Sequence, residues 1–152
     1  MTQKLNPGLT DLSSSILNQG VDPAAAAVLY GGVERDMIWH CQTDPRFSFH
    51  AYVPESVYDD DETPFRTAVF VHGTGRAYWR YLEYFRAFAD KNRFALIMPI
   101  FPAGLIDPKD YNSYKVINYK GLRYDQILLS MLDQYHEMFP KVDVSQIGRA
   151  HV

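Results

Sequence analysis

The sequence predicts an α/β fold in which parallel strands alternate with crossover helices, and three observations carry that prediction. Ala68-Val69-Phe70-Val71 and Phe94-Ala95-Leu96-Ile97-Met98 are apolar without alternation, as expected of strands covered on both faces. Between them, residues 78–90 place Tyr78, Leu82, Phe85, Phe88 and Ala89 on one helical stripe. Beyond them, Leu128, Met131, Leu132, Tyr135, Met138 and Phe139 recur at steps of three and four within residues 122–139, a second helix that Pro140 stops. Strand, turn, helix, strand is a βαβ unit, whose crossover within one sheet is expected to be right-handed.

In chain order, residues 1–35 read as a polar, partly helical segment. It contains a short helix near 12–17 and another after Asp22-Pro23, where proline takes the first helical position before four alanines. Residues 37–42 and 47–53 predict an edge hairpin turning at Thr43-Asp44-Pro45-Arg46. Its second strand puts Phe47, Phe49, Ala51 and Val53 on one face and Ser48, His50 and Tyr52 on the other. Pro54 ends the hairpin, and Asp59-Asp60-Asp61-Glu62 is a solvated loop, since adjacent acids point in different directions. The first parallel strand then spans 68–71, and the second spans 94–98 and ends at Pro99. Residues 99–121 are a long connection of the kind that rims a pocket or hides a short helix. After the second helix, with Asp125, Gln126, Asp133 and Gln134 outward, Val142-Asp143-Val144 opens a further strand.

Composition removes several function classes. A chain of 152 residues, 47% hydrophobic, suits one core and cannot build two. Its 15 basic against 18 acidic residues argue against nucleic acid as a partner, because phosphate binding needs a basic surface. A charged fraction of 22% with 14% aromatics argues against wholesale disorder. The single cysteine, Cys41, forms neither an internal disulfide nor a multi-thiolate metal site. No apolar run reaches membrane-spanning length, and the N-terminus lacks the apolar core of a secretion signal, so a cytoplasmic location is expected.

The sharpest chemical signal is His72-Gly73-Thr74-Gly75, followed by Arg76, where an apolar strand runs into a helix. Open α/β sheets place their sites at the carboxyl ends of such strands. Two glycines allow backbone amides to approach a ligand closely and permit positive φ. Amides aimed this way can hold the oxyanion of acyl transfer. A dinucleotide fingerprint fails at Tyr78, where its third glycine belongs, and no Gly-Lys-Ser/Thr follows to make a phosphate loop.

Other candidates carry less. His136-Glu137 lacks the second zinc histidine because position 140 is proline. His40, His50 and Cys41 offer no fourth ligand, and an ordinary hairpin with outward polar residues accounts for them. Ser13-Ser14-Ser15 has no helix at elbow spacing. Tyr78, Trp79, Tyr81, Tyr84 and Phe85 are expected to pack rather than stack on sugars or bases. Tyr111, Tyr114 and Tyr119 either line a pocket or pack the long connection. Arg76 either steadies an acidic substrate group or forms a surface salt bridge.

Val69-Phe70-Val71-His72-Gly73-Thr74-Gly75-Arg76 resembles the His-Gly oxyanion turn after the third strand of the α/β-hydrolase fold superfamily. The preceding hairpin, the strand ending in Met98-Pro99-Ile100-Phe101-Pro102-Ala103-Gly104 and the long helix after Arg123-Tyr124-Asp125 strengthen the likeness to its esterase and polyester-depolymerase-like serine hydrolases. The resemblance implies that residues 36–146 are the N-terminal half of such a fold, truncated before the nucleophile elbow. It implies oxyanion donors at Thr74 and Gly75, a supporting turn of His72, Gly73 and Arg76, and pocket lining by Tyr111 and Tyr114. The sequence leaves open which amide of Thr74, Gly75 or Arg76 faces the oxyanion. No Gly-x-Ser-x-Gly occurs, so serine, acid and histidine are expected beyond Val152. No metal or organic cofactor is implied, and the expected partner of the parent enzyme is a small ester-like substrate.

Residues 147–152 resemble a translated frame of a common sequencing-library adapter, and the native sequence is expected to end near Gln146. The chain by itself is accordingly expected to be inactive and to fold poorly. The rival expectation is a non-enzymatic α/β domain, complete at this length, that binds a small anion at the Gly73–Arg76 turn.

Overall fold

The computed structural model describes residues 32–148. The chain divides into two units, 1–34 and 35–152, and the second carries the sheet. The helices expected within 1–31 and the last four residues of the expected tail lie outside the described residues.

The elements of the second unit begin with β1 (Asp36–His40), β2 (Ser48–Tyr52), β3 (Phe65–Val69), helix α1 (Trp79–Asn92) and β4 (Phe94–Ile100). A two-strand ribbon, β5 (Asn118–Tyr119) and β6 (Leu122–Arg123), precedes helix α2 (Tyr124–Met138) and β7 (Val142–Gly148). The main sheet has the order β1-β2-β4-β3-β7. β2 pairs antiparallel with both β1 and β4, whereas β3 pairs parallel with β4 and with β7. The hairpin register sets Asp36 opposite Tyr52 and His40 opposite Ser48. Its turn is closed by the Phe47 amide donating to the Asp44 carbonyl at 3.0 Å. The Arg46 guanidinium adds an ion pair to the Asp44 carboxylate at 2.6 Å.

Strand alternation sorts the side chains between two apolar clusters, one with each helix. Phe47, Phe49, Ala51, Ala95, Ile97, Phe65 and Val142 pack with Met131, Leu132 and Tyr135 of α2. Tyr52, Leu96 and Met98 pack with Leu82 and Ala89 of α1. β4 thus has successive residues buried on opposite faces, which is why its sequence runs apolar without a break. Each fully buried Leu or Ile contributes about 1.5–3 kcal/mol of transfer free energy.

Several expectations need correction. The first parallel strand is Phe65–Val69 rather than 68–71, so Phe70 and Val71 lie past its end. Within it Val69 packs against one apolar cluster and Ala68 against the other, so the strand is covered on both faces there, whereas Arg66 is exposed. The second does not stop at Pro99 but continues to Ile100. The Phe70 amide donates to the Ile97 carbonyl, so odd positions of β4 turn their backbone toward β3. Pro99 shares that parity, and its missing N–H therefore faces a side where β3 has already ended. The helices begin and end one or two residues from the expected bounds, α1 at Trp79–Asn92 and α2 at Tyr124–Met138. Phe88, placed on the apolar stripe of α1, is 50% exposed, and Trp79 and Tyr84, expected to pack, are also exposed. Tyr81 and Phe85 do pack, both stacking on Phe70.

The long connection contains the short helix it was expected to hide, Ser113–Lys115, and also the unforeseen β5–β6 ribbon. That ribbon turns through Lys120 and Gly121, both at positive φ, the geometry of a two-residue hairpin whose twist matches its strands. Ile147 and Gly148, the first two residues of the expected tail, pair in β7 with Thr67 and Ala68 after a register shift. No helix among the described residues is long and apolar enough to cross a membrane.

Candidate functional site

The chain leaves β3 toward α1 and leaves β4 toward α2. Those helices belong to different apolar clusters on opposite faces of the sheet. Two neighbouring parallel strands whose exits diverge in this way open a crevice at their carboxyl ends. The His72–Arg76 turn follows β3 at that end, and the connection that starts at Phe101 follows β4.

The turn is closed by the Arg76 amide donating to the Gly73 carbonyl at 3.0 Å. Its left-handed residue is Arg76, with φ 54°, so the positive φ that Gly73 and Gly75 permit is used at neither glycine. A β-carbon built on Gly73 or Gly75 meets nothing within 4 Å. Neither φ nor crowding by this chain therefore demands glycine, and what the two positions provide is open space beside the backbone. Thr74 and Gly75 are exposed, and their N–H groups donate to no acceptor among the described residues. They remain available as donors to an external oxygen.

His72 is 2% exposed and fully committed. The Phe101 amide donates to Nε2 at 2.9 Å, so Nε2 is unprotonated and the proton sits on Nδ1, which donates to the Gly73 carbonyl at 2.9 Å. The imidazole thus serves as a lateral extension of β3, satisfying the β4-side amide that the short strand does not reach. Burial holds its pKa below the ordinary value, and the nearby Arg76 charge adds to the effect. A neutral ring with both nitrogens engaged fixes the turn and has no free lone pair for proton transfer.

Arg76 forms no salt bridge with a carboxylate among the described residues. Its guanidinium donates to three backbone carbonyls, Phe101 at 3.1 Å, Thr74 at 2.6 Å and Tyr111 at 2.9 Å. This fork ties the turn to the connection after β4, and its planar geometry suits the task better than an ammonium would. Tyr114 is buried beneath the turn, its hydroxyl donating to the His72 carbonyl at 3.0 Å and its ring stacked on Phe101. Tyr111 is 54% exposed at the rim. The Tyr119 hydroxyl donates to Asp107 at 2.6 Å.

Sequence reasoning missed two residues here. The Lys115 ammonium donates to the Thr74 hydroxyl at 2.7 Å, and that hydroxyl donates to Asn112 Oδ1 at 3.2 Å. Nothing local marks Asn112, just before the short helix, or Lys115, at its end, since that segment meets the turn by long-range folding. Thr74 is the link, and a hydroxyl between two glycines is the one clue the sequence offered.

Elsewhere, Asp36 accepts from His50 at 2.8 Å and pairs with Arg86 at 2.8 Å. Burial would raise its carboxyl, but these two partners hold it below the ordinary range. Burial likewise would raise the Cys41 thiol, yet hydrogen bonds with Ser130 and Thr43 bring it below its usual value. The Gln134 side chain clamps the same corner, accepting from the Gln42 amide and donating to the His40 carbonyl. Among the described residues no group of three His, Cys, Asp or Glu side chains is gathered to hold a metal.

No family model matches the chain, and no curated protein matches it in sequence. Among solved structures, poly(aspartic acid) hydrolase-1 from Sphingomonas sp. KT-1 is similar in fold, with a TM-score of 0.51 at 21% identity. The likeness covers 66% of this chain and spans 40% of that one.

Proposed function

We propose that this chain is part of a serine hydrolase that cleaves carboxylic esters or related acyl bonds, with the turn after β3 donating to the oxyanion. The observation that carries the reading is the pair of exposed amides at Thr74 and Gly75, which donate to no acceptor among the described residues and follow the carboxyl end of β3, where the glycines leave open space beside the backbone. The fold likeness to a hydrolase supports the reaction class. The resemblance to α/β-hydrolase enzymes supplies the rest of the mechanism. A serine attacks the acyl carbon, a histidine takes its proton and returns it to the leaving group, and the turn stabilises the negative oxygen between those events. His72 holds the turn and is not that base, since its nitrogens are occupied.

The test begins at the gene. The frame following codon 146 is expected to encode Gly-x-Ser-x-Gly, and the longer product is expected to hydrolyse p-nitrophenyl esters. Thr74→Pro, which deletes one candidate donor, is expected to lower kcat by about a hundredfold, the usual cost of an oxyanion hydrogen bond. A clean genomic read that ends in the same last six residues, or a longer product with no such turnover, would sink the reading. Saturable phosphate binding by a stable monomer without hydrolysis would favour the anion-binding alternative.

A further inference from the structure

We propose that Lys115 selects substrates bearing a carboxylate close to the scissile acyl group. The inference rests on the hydrolase reading and names its substrate class. The Lys115 ammonium is held at the turn by the Thr74 hydroxyl at 2.7 Å and lies 5.9 Å from the centre of the Tyr114 ring. Of its three N–H donors, one is engaged there and the side chain is otherwise exposed. No carboxylate among the described residues pairs with it. Lys120, five residues on, is neutralised by Asp107 at 2.8 Å, and Arg123 by Asp125.

The turn therefore concentrates positive charge without a counterion among the described residues. Arg76 spends its hydrogen bonds on carbonyl oxygens and keeps its charge, and Lys115 keeps its charge and its spare donors. Asp110, on the same connection, is turned to the Asn112 and Ser113 amides at 3.0 and 3.1 Å. Thr74 joins the two functions, because its amide is a candidate oxyanion donor and its hydroxyl carries the ammonium. An acyl group whose oxygen lies on that amide brings a carboxylate a few bonds away within reach of Lys115. The Asn112 side chain accepts the Thr74 proton and so leaves the hydroxyl lone pair to the ammonium, which fixes the cation at the turn.

The test is a titration of the isotope-labelled chain followed at the Thr74 and Gly75 amide resonances. The probes are monomethyl succinate, neutral methyl butyrate and inorganic phosphate. Monomethyl succinate is expected to bind saturably and more tightly than methyl butyrate, with the difference shrinking as salt rises. Lys115→Met is expected to weaken it about fivefold, the value of one exposed charge contact, while Lys115→Arg retains binding. Lys120→Met, at a cation already paired, is expected to change nothing. Equal affinity for methyl butyrate, no loss in Lys115→Met, or phosphate binding as tightly as the monoester would overturn the proposal. Ester turnover by the longer gene product without any Lys115-dependent preference sinks this inference alone. Lys115-dependent monoester binding in a protein that hydrolyses nothing sinks the hydrolase reading alone.

Discussion

The β4 core and the His72–Arg76 turn meet at Phe101 yet are held together by opposite means. In β4, Ala95, Leu96, Ile97 and Met98 are buried by apolar neighbours on both faces, and their backbone is satisfied by ladders to β2 and β3. At the turn the strand ladder has ended, and side chains do the work of a backbone. His72 caps the Phe101 amide, Arg76 grips three carbonyls, and Tyr114 holds the His72 carbonyl. The difference teaches that the core is specified by volume and periodicity, whereas the turn is specified by directional polar contacts between residues distant in sequence. It follows that the two regions should fail differently when perturbed.

The largest effect is expected in the core. Ile97→Ala removes a fully buried side chain from between β2, β3 and α2 and is expected to cost about 2–5 kcal/mol in a denaturant titration. A loss under 1 kcal/mol, on the order of an exposed substitution, would mean the strand is not packed as described.

His72 comes next. His72→Ala leaves the Phe101 amide without its acceptor and is expected to cost about 1–3 kcal/mol. His72→Gln, whose carbonyl can reach the position of Nε2, should recover part of it. The pH dependence separates this histidine from ordinary packing. Its folded pKa lies below the ordinary 6.5, so the unfolded chain binds the proton more readily than the native one. The stabilising contribution is therefore complete above about pH 6.5 and is lost as pH falls through that value toward the lower folded pKa. His72→Ala is expected to lack this part of the slope, and an unchanged slope would contradict the neutral, doubly bonded ring.

The smallest of the three changes sharpens the contrast. Arg76→Lys keeps the charge and loses the fork, with an expected cost of about 1 kcal/mol. Its signature should be faster amide exchange confined to the turn and to the connection around Tyr111, with β4 unaffected. Exchange that rises equally in β4 would show that the turn and the core are one cooperative unit.

Much of the core was legible because periodicity is a local signal. The alternation of residues 47–53 and the stripe of α2 named the buried faces correctly, down to Phe49, Ala51, Met131, Leu132 and Tyr135. Boundaries were less legible where a strand ends through its neighbour rather than through its own sequence. Pro99 looked like a stop, but a proline is tolerated once the adjoining strand has ended on its N–H side. Phe88 looked buried because its spacing fits the stripe of α1, yet it is 50% exposed, and its ring meets the sheet at the Phe94 ring, 5.3 Å between centroids. The glycines of the turn permit positive φ and close approach to their amides, yet the left-handed residue is Arg76, which no local signal marks.

The sequence by itself determined the alternation of strands and helices, the apolar faces and the location of a glycine turn at a strand end. Each of these depends on residues within one helical turn or one strand, so chemistry and spacing suffice. Only the tertiary structure decided that β7 lies beside β3, that His72 closes on Phe101, and that Lys115 meets Thr74 across 41 residues. Those contacts form when the chain folds back on itself, and no short window of sequence encodes which distant partners will meet.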